Sequence, residues 1–149
     1  MEKGRKSAGE NRISVSGSNE RWNSEKEGVL FSMKTVLVVD DQPGIRLLLH
    51  DVLTNEGYEV IMAQDGKEAI ERIEKEKIEL LILDYKLPIL NGEEVIKRLT
   101  EKDIQIPTIL VTGLGYLDFD LASYSLVKKV IEKPFNIQGI CDEVHMLLR

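Results

Sequence analysis

The chain reads as an α/β protein built on one doubly wound, five-stranded parallel sheet. Two observations predict this. Five short runs of branched apolar residues recur between Thr35 and Glu132, and after four of them the apolar residues fall at helical spacing, while Leu117 to Leu126, after the fourth, show no clean stripe. Strands that alternate with helices pair in parallel through right-handed crossovers, with helices on both sheet faces. Five such units over about 115 residues fit the flavodoxin-like (βα)5 sheet, strand order 2-1-3-4-5.

The first strand is Thr35-Val36-Leu37-Val38-Val39, a β-branched run that ends on Asp40-Asp41. Pro43 suits the first helical position, where its missing N–H costs nothing. Ile45, Leu48, Leu49 and Val52 mark the buried side of that helix, and Gly57 is placed for a left-handed cap. Tyr58 to Ala63 form the second strand. Asp65 caps a helix with Ala69, Ile70 and Ile73 inward.

The third strand, Ile78 to Asp84, is apolar at nearly every position, as a strand buried on both faces must be. Pro88 and Gly92 cannot extend it, so Asp84 stands at its carboxyl end. After the turn and cap at Asn91-Gly92, Val95, Ile96 and Leu99 mark the third helix. Thr108 to Thr112 form the fourth strand. Leu117 to Leu126 give a weaker helix, with Phe119, Leu121 and Tyr124 as its apolar side chains. Val127 to Glu132 form the fifth strand, broken by Lys133-Pro134-Phe135. Asn136 caps a last helix with Ile137, Ile140, Cys141, Val144 and Leu148 inward.

Residues 1–32 differ in kind. They are rich in Ser, Gly, Asn and charged residues, with six basic and five acidic side chains. Their few apolar residues keep no period, so a disordered N-terminal extension is expected, and 34–149 form the folded domain. The chain has 149 residues and a formal net charge of −6, which argues against nucleic-acid binding. One cysteine, Cys141, allows no internal disulfide, and it fits the core. No apolar run reaches the roughly 20 residues of a membrane span, and the N-terminus has no signal-peptide pattern. A cytoplasmic protein that contacts no membrane is expected.

In a parallel sheet all strand carboxyl ends share one edge, where ligands bind. Strand one brings Asp40 and Asp41 there, strand three Asp84, strand four Thr112 and strand five Lys133. At about 4 Å and an effective dielectric of about 20, each pair of like charges costs roughly 4 kcal/mol. Either the carboxyl pKa values rise or a cation settles among them. The available ligands are all oxygen, because His50 and Cys141 fall on helices away from this edge. That selects a hard ion, Mg2+, which is bound by one or two carboxylates plus phosphate. Lys133 adds a charge and Thr112 a donor for phosphoryl oxygens. The crevice is suited to a phosphoryl group carried by Asp84, since carboxylates act as phosphoryl-accepting nucleophiles.

Asp40-Asp41, Asp84 with Pro88 and Gly92, Thr112-Gly113 and Lys133-Pro134-Phe135 together resemble the response-regulator receiver domain of two-component signalling. The blocks Val38 to Gln42, Gly44-Ile45-Arg46, Glu56-Gly57-Tyr58 and Asp84 to Pro88 look closest to the single-domain regulators of sporulation phosphorelays. The resemblance implies that Asp84 is the phosphoacceptor. It also implies that Asp41, Asp84 and the backbone carbonyl of Lys86 ligate Mg2+ while Asp40 helps hold a water on the metal. Thr112 and Lys133 would bind the phosphoryl group, and Lys133–Pro134 would be a cis peptide. The implied partner is a sensor histidine kinase or a histidine phosphotransfer protein, docked on the early first helix and the loop after strand five. A monomer or weak dimer is expected.

The chain departs from that family in three places. Val130 stands where the family often has Tyr or Phe, so the usual Thr–aromatic coupling is not expected. Ser125-Leu126-Val127 replace the usual Gly-Ala pair. No output domain follows Arg149, which implies a signal passed by phosphotransfer or by binding. Two other functions compete. A haloacid-dehalogenase-type phosphatase also uses an aspartyl phosphate, but it needs a second aspartate two residues after the nucleophile. Lys86 and Gln42 hold those positions here. A receiver-fold binding module that is never phosphorylated is the other alternative, and the intact acidic set argues against it. The chain is therefore expected to be a phosphoacceptor, not an enzyme with an external substrate.

Overall fold

The computed structural model describes residues 33–113 and 119–149. The expected N-terminal extension, 1–32, and residues 114–118 lie outside the described residues. Five strands are present: β1 (Thr35–Val39), β2 (Glu59–Ala63), β3 (Leu80–Asp84), β4 (Thr108–Thr112) and β5 (Val127–Glu132). All pair in parallel, in the order β2-β1-β3-β4-β5. Between and after them run α1 (Pro43–Asn55), α2 (Gly66–Lys75), α3 (Gly92–Glu101), α4 (Phe119–Ala122) and α5 (Ile137–Leu148). Fold class and strand order are those the alternating pattern predicts.

Alternation along the strands divides the core in two. Val36 and Val38 of β1 face Leu49 and Leu53 of α1 and Ile140, Cys141 and Val144 of α5. Leu37 and Val39 face the other layer, with Ala69 and Ile73 of α2, Val95, Ile96 and Leu99 of α3, and Leu121 of α4. β1, β3 and β4 are buried along their whole length, which explains why their sequences are unbroken apolar runs. Each fully buried Leu, Ile or Val contributes about 1.5–3 kcal/mol. The exposed helix pairs Lys67–Glu71 (3.8 Å) and Lys97–Glu93 (3.0 Å) contribute at most about 0.5 kcal/mol each. Apolar burial therefore holds the fold.

The caps fall where the sequence places them. Asp65 accepts from the Glu68 N–H, Asn136 from the Gly139 N–H, and Asn91 forms a reciprocal capping box with Glu94. Gly57 sits at φ +98, beyond the reach of most side chains. Four expectations are corrected. Leu48 is 45% exposed, and Leu53 is buried instead. The α1 stripe is centred on Leu49 and Leu53, and Leu48 lies one residue, about 100°, off it. β2 starts at Glu59 because the Tyr58 N–H turns back to the Leu53 carbonyl and closes α1. β3 starts at Leu80, two residues later than expected. The helix expected over 117–126 stops at Ala122, where Ser123 and Tyr124 donate to carbonyls three residues back and leave a turn; Leu117 lies outside the described residues. Leu121 and Leu126 are nonetheless buried, which accounts for the apolar signal without a clean stripe.

At the end of the sheet where β2 begins, Tyr58, His145 and Glu56 form a hydrogen-bonded chain. The Tyr58 hydroxyl lies 2.5 Å from His145 Nδ1, and His145 Nε2 lies 2.8 Å from Glu56. It ties α5 to α1 and β2.

Candidate functional site

The register brings the carboxyl ends level. Val39 pairs with Leu83, Asp84 with Val111, and Thr112 with Glu132. Two further bonds carry the pairing past the strand ends. The Asp40 N–H donates to the Ala63 carbonyl at 3.2 Å, and the Lys133 N–H to the Thr112 carbonyl at 2.8 Å. Each functional side chain therefore emerges at the same rim.

Asp40, Asp41 and Asp84 each offer a carboxylate oxygen within 4.8 Å of the other two. Lys133 Nζ stands 3.2 Å from Asp40 Oδ2 and 3.1 Å from Asp84 Oδ2. Asp40 and Asp84 are only 3% and 4% exposed, whereas Asp41 is open to solvent. Thr112, the last residue of β4, is buried as well. Its Oγ1 is the one buried side-chain polar atom among the described residues without a hydrogen-bond partner. An orphaned hydroxyl costs about 1–3 kcal/mol, so its retention points to a ligand oxygen it serves.

The turn between β1 and α1 is held by Asp40. Its Oδ1 accepts the Gln42 N–H at 2.9 Å, and its main-chain carbonyl accepts Arg46 Nη1 at 2.7 Å. Gln42, not an aspartate, is the N-cap of α1, and it makes no side-chain cap bond. Taken singly, Asp40 and Asp41 would be read as caps; neither is the cap residue. After β3 the chain is equally constrained. Gly92 donates to the Tyr85 carbonyl at 2.8 Å, and a Cβ on Gly92 would stand 2.8 Å from Tyr85 Cα and 2.9 Å from the Asp84 carbonyl oxygen. The start of α3 thus rests directly on the Asp84 strand end, a closer role than the turn and cap expected. Ile89 in this loop adopts φ 70, and the Leu90 N–H donates to the Pro88 carbonyl at 2.8 Å. The Lys133–Pro134 peptide is cis.

Burial pushes the Asp84 pKa up to about 6, and the Asp40 charge pushes the same way. The Lys133 ammonium and the Lys86 N–H oppose them without prevailing. Burial works against the Lys133 charge, yet its bonds to Asp84 and Asp40 win and hold its pKa above the usual lysine range. With all three carboxylates ionised, one ammonium offsets one of three charges. A divalent cation matches the remainder, and the all-oxygen donor set fits a hard ion. The residues present therefore fit Mg2+.

Of the residues singled out in the sequence, Asp40, Asp41, Asp84 and Lys133 meet at this rim, Thr112 ends β4 at the same edge, and the Lys86 N–H bonds to Asp84. Arg46 and the Gln42 N–H were missed. The Gly44-Ile45-Arg46 block was visible, but nothing in it told which atom the guanidinium would reach. Val130, in place of an aromatic residue, packs half-buried against the α2–α3 core.

Comparisons with known proteins agree with this geometry. Residues 36–145 match the family model for the response regulator receiver domain. The chain is 40% identical over 114 residues to sporulation initiation phosphotransferase F of Bacillus subtilis (strain 168), covering 76% of this chain and 92% of that protein. It is 37% identical to the Bacillus subtilis (strain 168) alkaline phosphatase synthesis transcriptional regulatory protein PhoP, covering 78% of this chain but only 49% of that protein. Among solved structures, Thermotoga maritima response regulator TrrA in complex with Mg(2+)-BeF superposes with a TM-score of 0.70 at 36% identity, covering 78% of this chain and all of that one. The signal receiver domain of a putative Luxo repressor protein from Vibrio parahaemolyticus gives 0.73 at 30% identity, covering 78% and 91%. Five parallel strands in this order, an acidic rim at their carboxyl ends and a match over most of the described residues lead to one conclusion: the chain belongs to the response regulator receiver domain family.

Proposed function

We propose that this chain is a single-domain response regulator that accepts a phosphoryl group on Asp84 from a phosphohistidine. The donor is a sensor histidine kinase or a histidine phosphotransfer protein, and the reaction takes place in the cytoplasm and needs Mg2+. The observation that carries this reading is the meeting of Asp40, Asp41, Asp84 and Lys133 at one rim, with an unpartnered Thr112 hydroxyl at the carboxyl end of β4. The Thermotoga maritima relative's complex with Mg(2+)-BeF supports it by likeness.

Asp41, Asp84 and the Lys86 carbonyl would hold Mg2+, with Asp40 beside them. When bound, the ion supplies positive charge against the oxygens of the transferring group. A carboxylate oxygen of Asp84 forms the new O–P bond as the N–P bond of phosphohistidine breaks. The electron pair stays on the imidazole nitrogen, which takes up a proton. Lys133 gives up its bond to Asp84 and pairs with a phosphoryl oxygen. Thr112 donates its hydroxyl to another, satisfying the buried atom. The signal then leaves by onward phosphotransfer or by binding of a partner to the phosphorylated form.

The test is incubation of the full chain with acetyl phosphate, with Mg2+ or with EDTA, followed by intact mass. The proposal expects one added phosphoryl group with Mg2+ only, absent in Asp84→Asn. No adduct in the wild-type chain would instead favour a binding module that works without phosphorylation.

A further inference from the structure

Arg46 has no part in the chemistry above, yet its guanidinium reaches back from the second turn of α1 to the carbonyl of Asp40, 2.7 Å away. That carbonyl belongs to a residue only 3% exposed, so few other donors can reach it. All of Asp40's polar groups are committed. Its N–H goes to Ala63, Oδ1 accepts the Gln42 N–H, Oδ2 accepts Lys133 and its carbonyl accepts Arg46. The helix start that follows has no side-chain cap and no acidic residue in its first turn. Pro43 presets the first helical φ, but no side chain of the turn bonds the exposed N–H groups of the helix start. The Arg46 N–H also bonds to the Gln42 carbonyl at 3.1 Å. That backbone bond is the ordinary first bond of the helix, so the guanidinium alone ties α1 to the far side of the turn that contains Asp41.

Asp41 itself has no such support. It is exposed, and no hydrogen bond to it is seen among the described residues. Its carboxylate still lies within 4.8 Å of Asp40 and Asp84. Its placement rests on the backbone of the turn, and that backbone is held by Asp40 and Arg46. We propose that Arg46 is a positioning residue for the acidic centre: through the Asp40 carbonyl it holds the Asp40–Asp41 turn so that the carboxylates stay gathered for a divalent cation. This rests on the metal-dependent reading given above.

The sign of the effect separates positioning from charge. A guanidinium near the rim repels a cation, so if Arg46 acted by charge alone its removal would tighten Mg2+ binding. Positioning predicts the reverse. Partners that orient metal ligands typically contribute about 10–100-fold to metal affinity.

The experiment is calorimetric titration of the full-length chain with Mg2+, for the wild type, Arg46→Met and Arg46→Lys, at low and high salt. Hydrogen exchange at the Gln42 amide is read alongside in the metal-free protein. The expected result is Mg2+ binding weakened by about tenfold or more in Arg46→Met. Arg46→Lys, which keeps the charge and one donor, recovers part of the loss, and Gln42 exchanges faster in Arg46→Met before any metal is added. Unchanged or tighter Mg2+ binding in Arg46→Met overturns the proposal, as does a wild type that binds no Mg2+. If Arg46→Met loses the fold by circular dichroism, Arg46→Lys against wild type decides alone, with weaker binding expected and equal binding refuting. A wild type that binds Mg2+ but takes no phosphoryl group from acetyl phosphate would refute the phosphoacceptor reading and leave the Arg46 comparison intact.

Discussion

Replacing the proposed phosphoacceptor should make the metal-free protein more stable. Asp84 is 4% exposed, so solvent screens its charge little. Its pKa stands at about 6 in the folded chain against 3.8 for an unperturbed aspartate. A raised carboxyl pKa means that the folded state prefers the protonated form. Below the unfolded pKa both states are protonated and no penalty exists. As pH climbs through the folded value, ionisation is paid for in folding stability, and the full penalty is present at neutral pH. A shift of about two pKa units at roughly 1.4 kcal/mol each gives about 3 kcal/mol. Asp84→Asn is close in shape, uncharged at every pH, and keeps an oxygen that can accept from Lys133. In EDTA at about pH 7.5 the variant should exceed the wild type by roughly 3 kcal/mol, and the gap should close by about pH 4. With a urea slope of about 2 kcal/mol per molar, the neutral-pH midpoint rises by about 1.5 M. Mg2+ should narrow the gap by stabilising the wild type more. Equal stability at neutral pH, or a gap that persists in acid, would refute the electrostatic reasoning.

Three further substitutions probe the same rim. Thr112→Val removes the orphaned hydroxyl, so stability by urea titration should be unchanged or raised by up to about 1 kcal/mol while acetyl-phosphate labelling slows; lower stability would show that the hydroxyl already has a use in the metal-free fold. Lys133→Ala leaves two buried carboxylates unpaired, and metal-free stability at neutral pH should fall by roughly 3 kcal/mol, with Mg2+ restoring most of it. In that variant Mg2+ binding survives by calorimetry, but the phosphorylation-dependent change in partner affinity is lost; a normal change would count against the assigned role. Gly92→Ala drives a Cβ into the Asp84–Tyr85 backbone, costing about 1–3 kcal/mol and slowing labelling at Asp84. Wild-type stability and labelling would mean that α3 can shift away at no cost.

The fold was legible because its determinants are local. Unbroken apolar runs mark β1, β3 and β4, and Asp65, Asn91 and Asn136 cap helices through atoms three residues away. The site was legible for a topological reason: parallel pairing sends every strand end to one rim, so residues distant in sequence converge without any knowledge of distance. What stayed hidden depends on where side chains go once packed. Leu48 and Leu53 are equally apolar, and only the sheet decides which is covered. Gly92 could have been an ordinary turn glycine until the Asp84 backbone was found against it. The Arg46 contact needs the turn geometry before its partner exists. Leu121 and Leu126 are both buried, yet their hydrophobicity says nothing about the turn at Ser123 and Tyr124 that ends α4 between them.

The most direct test is to locate the phosphoryl group. After incubation with acetyl phosphate and Mg2+, borohydride reduction cleaves an aspartyl phosphate and converts that residue to homoserine, which peptide mass mapping then places. Homoserine at position 84 in the wild type, with none in Asp84→Asn, is the predicted result. Homoserine at Asp40 or Asp41, or at no position despite an intact fold and bound Mg2+, would contradict the assignment of Asp84 as the phosphoacceptor.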